Sequence, residues 1–172
     1  HGRVKPGDTV AIVGAGPVGM SVLLTAQFYS PARIVMIDMD PARLALARQF
    51  GATDTIQVGS EDVVAKVMEM TGGLGVDVAI EAVGVPATFD TCQKIVSAGG
   101  SIANVGVHGK PVELHIEELW IKNINISMGL VNTNTTPMLL KTLGTGKVDP
   151  SKLVTHRFGL NEMLAAYEVF GN

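Results

Sequence analysis

The chain has 172 residues, of which 47% are hydrophobic and 17% are charged, and its formal net charge is −3. This length allows one domain with a substantial core, and so apolar a composition excludes a disordered chain. Lys and Arg form no cluster and there is one cysteine, so we expect no nucleic acid partner, no disulfide framework and a cytoplasmic protein.

Short apolar runs alternate with helical patterns along the first 130 residues. Runs of four to six residues rich in Val and Ile are typical of strands that are covered on both faces. The predicted strands lie at 10–13, 33–38, 54–58, 76–81, 101–106 and 124–128. Because helical segments separate them, the sequence predicts an α/β fold, a doubly wound parallel six-stranded sheet with helices on both faces, in the order 3-2-1-4-5-6.

The predicted helices have specific start and stop signals. Asp40 followed by a proline predicts an N-cap, and Gly51 ends that helix. Ser60 and the two acidic residues after it predict the next N-cap, whereas the helix that opens at Pro86 is expected to end at 99–100. The uncharged stretch 9–32 is interrupted by glycines and is interpreted as a buried strand and helix, so no membrane partner is expected.

A glycine-rich turn follows the first predicted strand, with the sequence Gly14-Ala-Gly16-Pro17-Val18-Gly19. A strand before this turn and a helix after it are typical of a dinucleotide-binding Rossmann-type fold. Gly14 permits the tight turn, Gly16 lets the backbone approach a pyrophosphate, and Gly19 lets the helix pack on the sheet. Pro17 and Val18 begin the helix, whose free amides and positive dipole end favour phosphate.

An acidic residue, Asp38, ends the second predicted strand, nineteen residues after Gly19. A carboxylate at this position accepts hydrogen bonds from the adenosine ribose and repels a 2′-phosphate, which predicts NAD rather than NADP. Arg43 lies one helical turn further on, where it reaches the ribose edge or remains a solvated helix residue. An arginine there also weakens the rejection of NADP, so acceptance of NADP stays open.

Two further strand ends are candidates for cofactor contacts, because ligands bind outside the carboxyl ends of parallel strands. Ala82 and Val83 follow the fourth predicted strand, and Val105, Gly106 and Val107 follow the fifth. These small or apolar residues suit the flat faces of adenosine and nicotinamide. They are equally compatible with ordinary strand ends.

Catalytic groups are not evident in the sequence. His108 is interpreted as a solvated loop residue and Cys92 as a packing residue within a helix. The four histidines have no spacing that predicts a metal site. The sequence therefore predicts a cofactor site without catalytic residues.

The pattern changes after about residue 130. A helix is predicted from Thr136, a further strand at 153–158, and a last amphipathic helix at 162–170. We divide the chain into a domain at 1–130, which carries the candidate cofactor site, and a C-terminal segment at 131–172.

Seven segments carry a further signal through their order: KPGDTVAIVGAGPVG at 5–19, FGAT at 50–53, TGGLGVD at 71–77, EAVG at 81–84, GG at 99–100, IANVGV at 102–107 and LVTHRF at 153–158. In this order they resemble the nucleotide-binding domain of zinc-dependent medium-chain alcohol dehydrogenases, over nearly the whole chain. The resemblance implies an oxidoreductase that transfers a hydride between an alcohol and NAD while zinc polarises the alcohol oxygen.

The resemblance also implies roles for residues of this chain. The three glycines of the turn would line the pyrophosphate, Asp38 and Arg43 would hold the ribose, and the backbone at 105–107 would lie beside nicotinamide. In that family the zinc ligands belong to a catalytic domain that precedes this part. We therefore expect zinc and the alcohol or carbonyl substrate in the full-length protein, and an inactive cofactor domain in this chain.

Three consequences of the resemblance remain expectations. The segment 131–172 would return towards the catalytic domain that is absent from this chain. Its predicted strand at 153–158 would then have no partner strands, and we expect it to be poorly ordered or abnormally paired. The sixth strand, at 124–129, would join two sheets in a homodimer. A polyol or threonine dehydrogenase of the same family and a stand-alone NAD-sensing module are the alternative functions.

Overall fold

A computed structural model describes residues 1–130 and 132–171 of the chain. Six strands form one sheet: β1 (Thr9–Val13), β2 (Arg33–Asp38), β3 (Asp54–Gln57), β4 (Val76–Glu81), β5 (Val96–Asn104) and β6 (Asn125–Met128). The helices are α1 (Pro17–Ala26), α2 (Pro41–Gln49), α3 (Val63–Met70), α4 (Pro86–Ile95), α5 (Ile116–Leu119), α6 (Thr136–Gly144) and α7 (Met163–Gly171).

The sheet has the order β3-β2-β1-β4-β5-β6, and every neighbouring pair is parallel. The predicted fold class and strand order are therefore confirmed. The order reverses between β1 and β4, and the crevice at the carboxyl ends of these two strands is where such sheets bind ligands.

The central strands are apolar because both of their faces are covered. Ile12, Met36 and Ile102 on three strands are fully buried, as is Leu23 on α1. Burial of such a side chain contributes roughly 1.5–3 kcal/mol, so the core residues of the sheet hold the strand ends in place. Glu81, at the end of β4, is fully buried as well.

The structure confirms one predicted N-cap residue and corrects another. Asp40 caps α2, since its side chain accepts hydrogen bonds from the amides of Ala42 at 2.7 Å and Arg43 at 3.4 Å. The prediction for Ser60 was wrong: Asp62 caps α3 and accepts from the Ala65 amide at 3.0 Å. A carboxylate directly before the helix reaches its amides, whereas Ser60 lies two residues too early.

The end of α4 and the start of β5 differ from the prediction. The helix ends at Ile95, not at 99–100, and Val96 already pairs with Val76 of β4. The register then shifts so that Val78 pairs with Ser101. Residues 97–100 therefore bulge out of the strand, and the glycines serve this bulge rather than a helix stop.

Contacts divide the chain into two units, His1–Thr136 and Pro137–Asn172. Helix α6 starts at Thr136 as predicted, and α7 in the second unit covers most of the predicted last helix. The strand predicted at 153–158 was wrong, because Pro150–Leu153 forms a 3₁₀ turn and 154–159 have neither helix nor strand. Whether this segment is poorly ordered stays a prediction. In the part of the chain that the structure describes, no helix is long and apolar enough to cross a bilayer.

Candidate functional site

The glycine turn lies between β1 and α1 and is held by tight contacts. Gly14 has φ +106°, a conformation that other residues rarely adopt. A Cβ built on Gly19 would lie 1.8 Å from the Gly14 carbonyl oxygen. The first turn of α1 therefore packs directly on the turn that precedes it, which agrees with the role predicted for Gly19.

Gly16 has the opposite environment. It is the N-cap residue of α1, with φ −72°, and no atom lies within 4 Å of the position where its Cβ would be. No side chain caps the helix, and its first turn holds no acidic residue. An uncapped helix start with open space in front of it suits an anion such as a pyrophosphate.

Asp38 at the end of β2 is fixed by two backbone amides. Its Oδ2 accepts a hydrogen bond from the Ala15 amide at 2.6 Å, and its Oδ1 accepts from the Asp40 amide at 2.8 Å. Each carboxylate oxygen has a further lone pair, so Asp38 can still accept from the hydroxyls of a ribose. Through these two hydrogen bonds, Asp38 links the glycine turn to the start of α2.

Arg43 extends from α2 into the same crevice. Its side chain is half-exposed, and its Nε lies 3.6 Å from the Asp40 carboxylate. This pair contributes little to stability because it is exposed. Arg43 is thus close to the Asp38 edge of the site, although its present partner is Asp40.

A cavity of about 640 Å³ connects these residues. Its wall is apolar on one side and polar where Asp38 and Arg43 lie, a combination that is common in sites for small molecules. The lining residues are Val13, Gly14, Gly16, Ile37, Asp38, Met39, Asp40, Arg43, Val58, Val63, Ala82, Val83, Val85, Ala87, Thr88 and Thr91.

The cavity brings together half of the predicted site residues. Six of them line it: Gly14, Gly16, Asp38, Arg43, Ala82 and Val83. The other six do not belong to its wall: Pro17, Val18, Gly19, Val105, Gly106 and Val107. Val105 and Gly106 lie next to the end of β4, because their amides donate to the Glu81 carbonyl at 2.9 and 3.1 Å.

Glu81 was not predicted as a site residue, although it lies between the two predicted turns. Its Oε1 accepts hydrogen bonds from the amides of Val83 at 2.9 Å and Gly84 at 2.8 Å and from the Thr88 hydroxyl at 2.6 Å. A charged residue directly after the apolar run 78–80 of β4 was the sequence signal that could have identified it.

The interpretation of His108 as a solvated residue was wrong. Its side chain is only 15% exposed, its Nε2 lies 3.4 Å from Glu81 Oε2, and its ring packs edge-on against Phe89. Cys92 is fully buried in α4, as predicted. Burial, and then the negative charge of Glu81, raise the pKa of the Cys92 thiol well above its usual range. This thiol is therefore neutral and unreactive.

Metal ligands do not cluster in the described residues, 1–130 and 132–171, where no three His, Cys, Asp or Glu side chains come together as a metal site. These residues do not fit a zinc ion.

The strand order and the glycine turn at the end of β1 define a nucleotide-binding domain of the Rossmann class. The chain belongs to the zinc-binding dehydrogenase family, which matches residues 17–144.

Two curated relatives match almost the whole chain. An alcohol dehydrogenase of Cupriavidus necator is 33% identical over 176 residues, which cover 100% of this chain and 48% of that protein. A sorbitol dehydrogenase of Bacillus subtilis is 32% identical and covers 96% of this chain and 47% of its own length. The chain thus spans about half the length of the curated relatives that it matches.

Solved structures agree with this assignment. The zinc dependent alcohol dehydrogenase 2 from Streptococcus pneumonia, in its apo form, is 57% identical with a TM-score of 0.96, over 99% of this chain and 50% of that one. A protein described as a zinc-binding dehydrogenase, from Sinorhizobium meliloti 1021 and bound to NADP, is 26% identical with a TM-score of 0.91 over the same shares. Nicotinamide dinucleotides are therefore ligands of this fold within the family.

Proposed function

We propose that the chain is the cofactor-binding domain of an oxidoreductase that transfers a hydride between an alcohol and NAD. One observation carries the proposal: the open start of α1 at Gly16 and the Asp38 carboxylate line a single cavity. This arrangement suits an adenosine diphosphate unit, with phosphate at the helix start and ribose at the carboxylate.

The residues of the chain bind and orient the cofactor in this proposal. Backbone amides at the start of α1 hold the pyrophosphate, Asp38 accepts from the ribose hydroxyls, and Arg43 lies at the edge of the ribose. Ala82 and Val83 line the same cavity as Asp38, and the backbone at 105–107 lies beside the nicotinamide, which supplies the hydride chemistry when it is bound. The described residues do not fit zinc, so we assign them no step that passes through a metal.

The substrate belongs to the whole protein, and an alcohol or carbonyl compound is the class that we propose. The match to a sorbitol dehydrogenase favours a polyol as the second candidate. A stand-alone NAD-sensing module has no comparable support among these relatives. The single buried cysteine favours the reducing cytoplasm as its compartment.

Preference for NADH over NADPH is the first test of the site. We expect saturable binding of NADH and at least about ten-fold weaker binding of NADPH, because the Asp38 charge repels a 2′-phosphate. Asp38→Asn removes that charge, so the ratio of the two dissociation constants should fall to about three or less. Parallel fluorescence titrations of the wild type and the variant measure both ratios.

Asp62→Asn is the matched control, because Asp62 caps α3 and does not line the cavity. Asn is as good an N-cap as Asp, so this variant should retain the wild-type ratio. Equal binding of NADH and NADPH by the wild type would contradict the role of Asp38 and point to Arg43 as the dominant charge. Binding of neither would contradict the proposed function.

Pairing of two chains through β6 is the partner interaction that we propose. β6 is an edge strand of the sheet, and the adjacent segment exposes Trp120 and Ile121 to solvent by 69% and 68%. A mostly apolar cavity, lined by Trp120 and by Ile126 of the strand, continues the surface. An open strand edge beside exposed aromatic and aliphatic side chains favours association of sheet with sheet.

A charge placed at this edge should therefore separate the two chains. We expect Ile121→Lys to raise the dimer dissociation constant about 30-fold or more in sedimentation velocity, as for the loss of a central apolar contact. Leu74→Lys is the control, because Leu74 is equally exposed, at 76%, in the loop before β4. A monomeric wild type, or equal effects of both substitutions, would argue against this interface.

A further inference from the structure

We propose that Glu81 and His108 form a buried positioning pair that holds the two strand-end turns, 82–84 and 105–107, in register for the nicotinamide half of the cofactor. The inference rests on the proposed function and extends it to two residues outside the cavity wall. It assigns them no contact with the reacting atoms.

Glu81 holds both turns at once. Its side-chain Oε1 accepts from the amides of Val83 and Gly84, which form the turn after β4. Its main-chain oxygen accepts from the amides of Val105 and Gly106, which form the turn after β5. One residue therefore fixes the relative position of two turns that are more than twenty residues apart in sequence.

The two turns also touch each other with no space to spare. A Cβ on Gly106 would lie 2.3 Å from Glu81 Oε2, and a Cβ on Gly84 would lie 2.3 Å from the Val107 carbonyl oxygen. A displacement of the Glu81 carboxylate would thus be transmitted directly to the Gly106 and Val107 backbone.

His108 contacts both Asn104 and Glu81 through its Nε2 atom. Asn104 donates from its side-chain amide to the Gly106 carbonyl at 3.2 Å, which leaves its Oδ1 to face His108 Nε2 at 2.8 Å. Because that oxygen can only accept, Nε2 carries a proton. The same Nε2 lies 3.4 Å from Glu81 Oε2, so the imidazole ring lies directly beside the carboxylate.

The pair is costly for a purely structural role. Within the described residues, Glu81 Oε2 and His108 Nδ1 are buried without a hydrogen-bond partner. Buried polar atoms without a partner carry a desolvation cost that apolar residues of the same volume would not carry. The groups that surround them are the Thr88 hydroxyl, the Phe89 ring edge and the neutral Cys92 thiol of α4.

The position of the pair favours the nicotinamide half. The adenosine half is assigned to the cavity between Asp38, Arg43 and Gly16, whose wall includes neither Glu81 nor His108. Of the two turns on which the pair acts, 105–107 lies outside that wall, whereas Ala82 and Val83 of the other turn belong to it. A change in the pair should therefore weaken NADH, which has both halves, more than ADP-ribose, which lacks nicotinamide.

Glu81→Gln tests this with little change of volume. Oε1 accepts from three donors and Oε2 lies 3.4 Å from His108 Nε2, which carries a proton, so either orientation of the amide brings its NH₂ group close to a donor. We expect NADH to bind at least about ten-fold more weakly, and ADP-ribose to bind at most about three-fold more weakly than in the wild type. Fluorescence titration and calorimetry of the chain measure the two ligands.

His108→Asn should give the same pattern and keeps the experiment informative if Glu81→Gln does not fold. Because the two residues act as one unit, the double variant should bind NADH no more weakly than the weaker single variant. Glu69→Gln and His156→Asn are exposed controls of the same chemistry and should leave both ligands unchanged.

Equal losses for NADH and ADP-ribose would overturn the inference, because they would indicate a general effect on folding. Unchanged binding of both ligands in both variants would also overturn it, while the proposed function would stand. A wild-type chain that binds neither NADH nor ADP-ribose would overturn the proposed function and the inference with it.

Discussion

Gly19→Ala is expected to lower the free energy of unfolding by about 3 kcal/mol, at the upper end of the range for overpacking. The added Cβ would lie 1.8 Å from the Gly14 carbonyl oxygen and 2.9 Å from its carbon. These are backbone atoms, so no side chain can rotate to relieve the contact. Helix α1 would have to move away from the glycine turn, and cofactor binding should be lost together with stability.

Gly16→Ala is the matched control, three residues away in the same turn. Gly16 has an ordinary φ of −72° and no atom within 4 Å of its Cβ position. This variant should therefore melt within about 2 °C of the wild type, since a change of under 1 kcal/mol shifts the midpoint of a domain of this size by only a few degrees. Its NADH affinity should still fall at least about ten-fold, because the new methyl group occupies the space assigned to the pyrophosphate.

Calorimetry and NADH titration of the two variants separate the roles of the two glycines. Gly19→Ala should melt about 9 °C below the wild type, from the same relation between free energy and midpoint. A Gly19→Ala chain with wild-type stability would contradict the close packing of α1 on the turn. A Gly16→Ala chain with wild-type NADH affinity would contradict the position assigned to the pyrophosphate.

The order of the sheet could be predicted because each strand carries its own local signal. Parallel strands buried on both faces have almost no polar residues, and proline or aspartate marks the helix starts between them. Such signals depend on neighbours in sequence. The start of β5 depends instead on pairing with β4, where Val96 joins Val76 and the next four residues bulge out. That register is a tertiary property, so the sequence pattern placed the strand five residues too late.

The predicted strand at 153–158 was wrong for a related reason. Alternation and β-branched residues favour an extended chain, but a strand also needs a neighbour to satisfy its backbone groups. In the described part of the chain, 154–159 have no strand or helix assignment. Local propensity alone therefore does not specify a strand here.

The site divides in the same way. That Gly14, Gly16 and Asp38 come together at one cavity could be predicted, because their fixed spacing within one β-α-β unit places them there. The contact between Glu81 and His108 joins residues 27 positions apart and depends on how β4 and β5 end side by side. The sequence shows His108 as a lone histidine in a loop and does not indicate that Glu81 lies beside it.

Gly84→Ala is expected to lower the free energy of unfolding by about 3 kcal/mol. About 1 kcal/mol of this comes from backbone strain and the rest from overpacking. Gly84 has φ +92°, and a Cβ there would lie 2.3 Å from the Val107 carbonyl oxygen and 2.8 Å from the Val107 nitrogen. The added methyl group would push apart the turns after β4 and β5. We therefore expect weaker NADH binding, by about ten-fold or more, together with the loss of stability.

Gly59→Ala is the control that measures the strain of a positive φ without the contact between the two turns. Gly59 has the same φ of +92°, but no atom lies within 4 Å of its Cβ position. The free energy of unfolding of this variant, measured with denaturant, should fall by only about 1 kcal/mol, since the strain of a positive φ acts on the backbone alone. Its NADH affinity should equal that of the wild type. The difference between the two variants then measures the contact between the turns at 82–84 and 105–107. Equal losses of stability in both variants, with NADH binding intact, would show that the two turns move independently and that their contact does not position the cofactor.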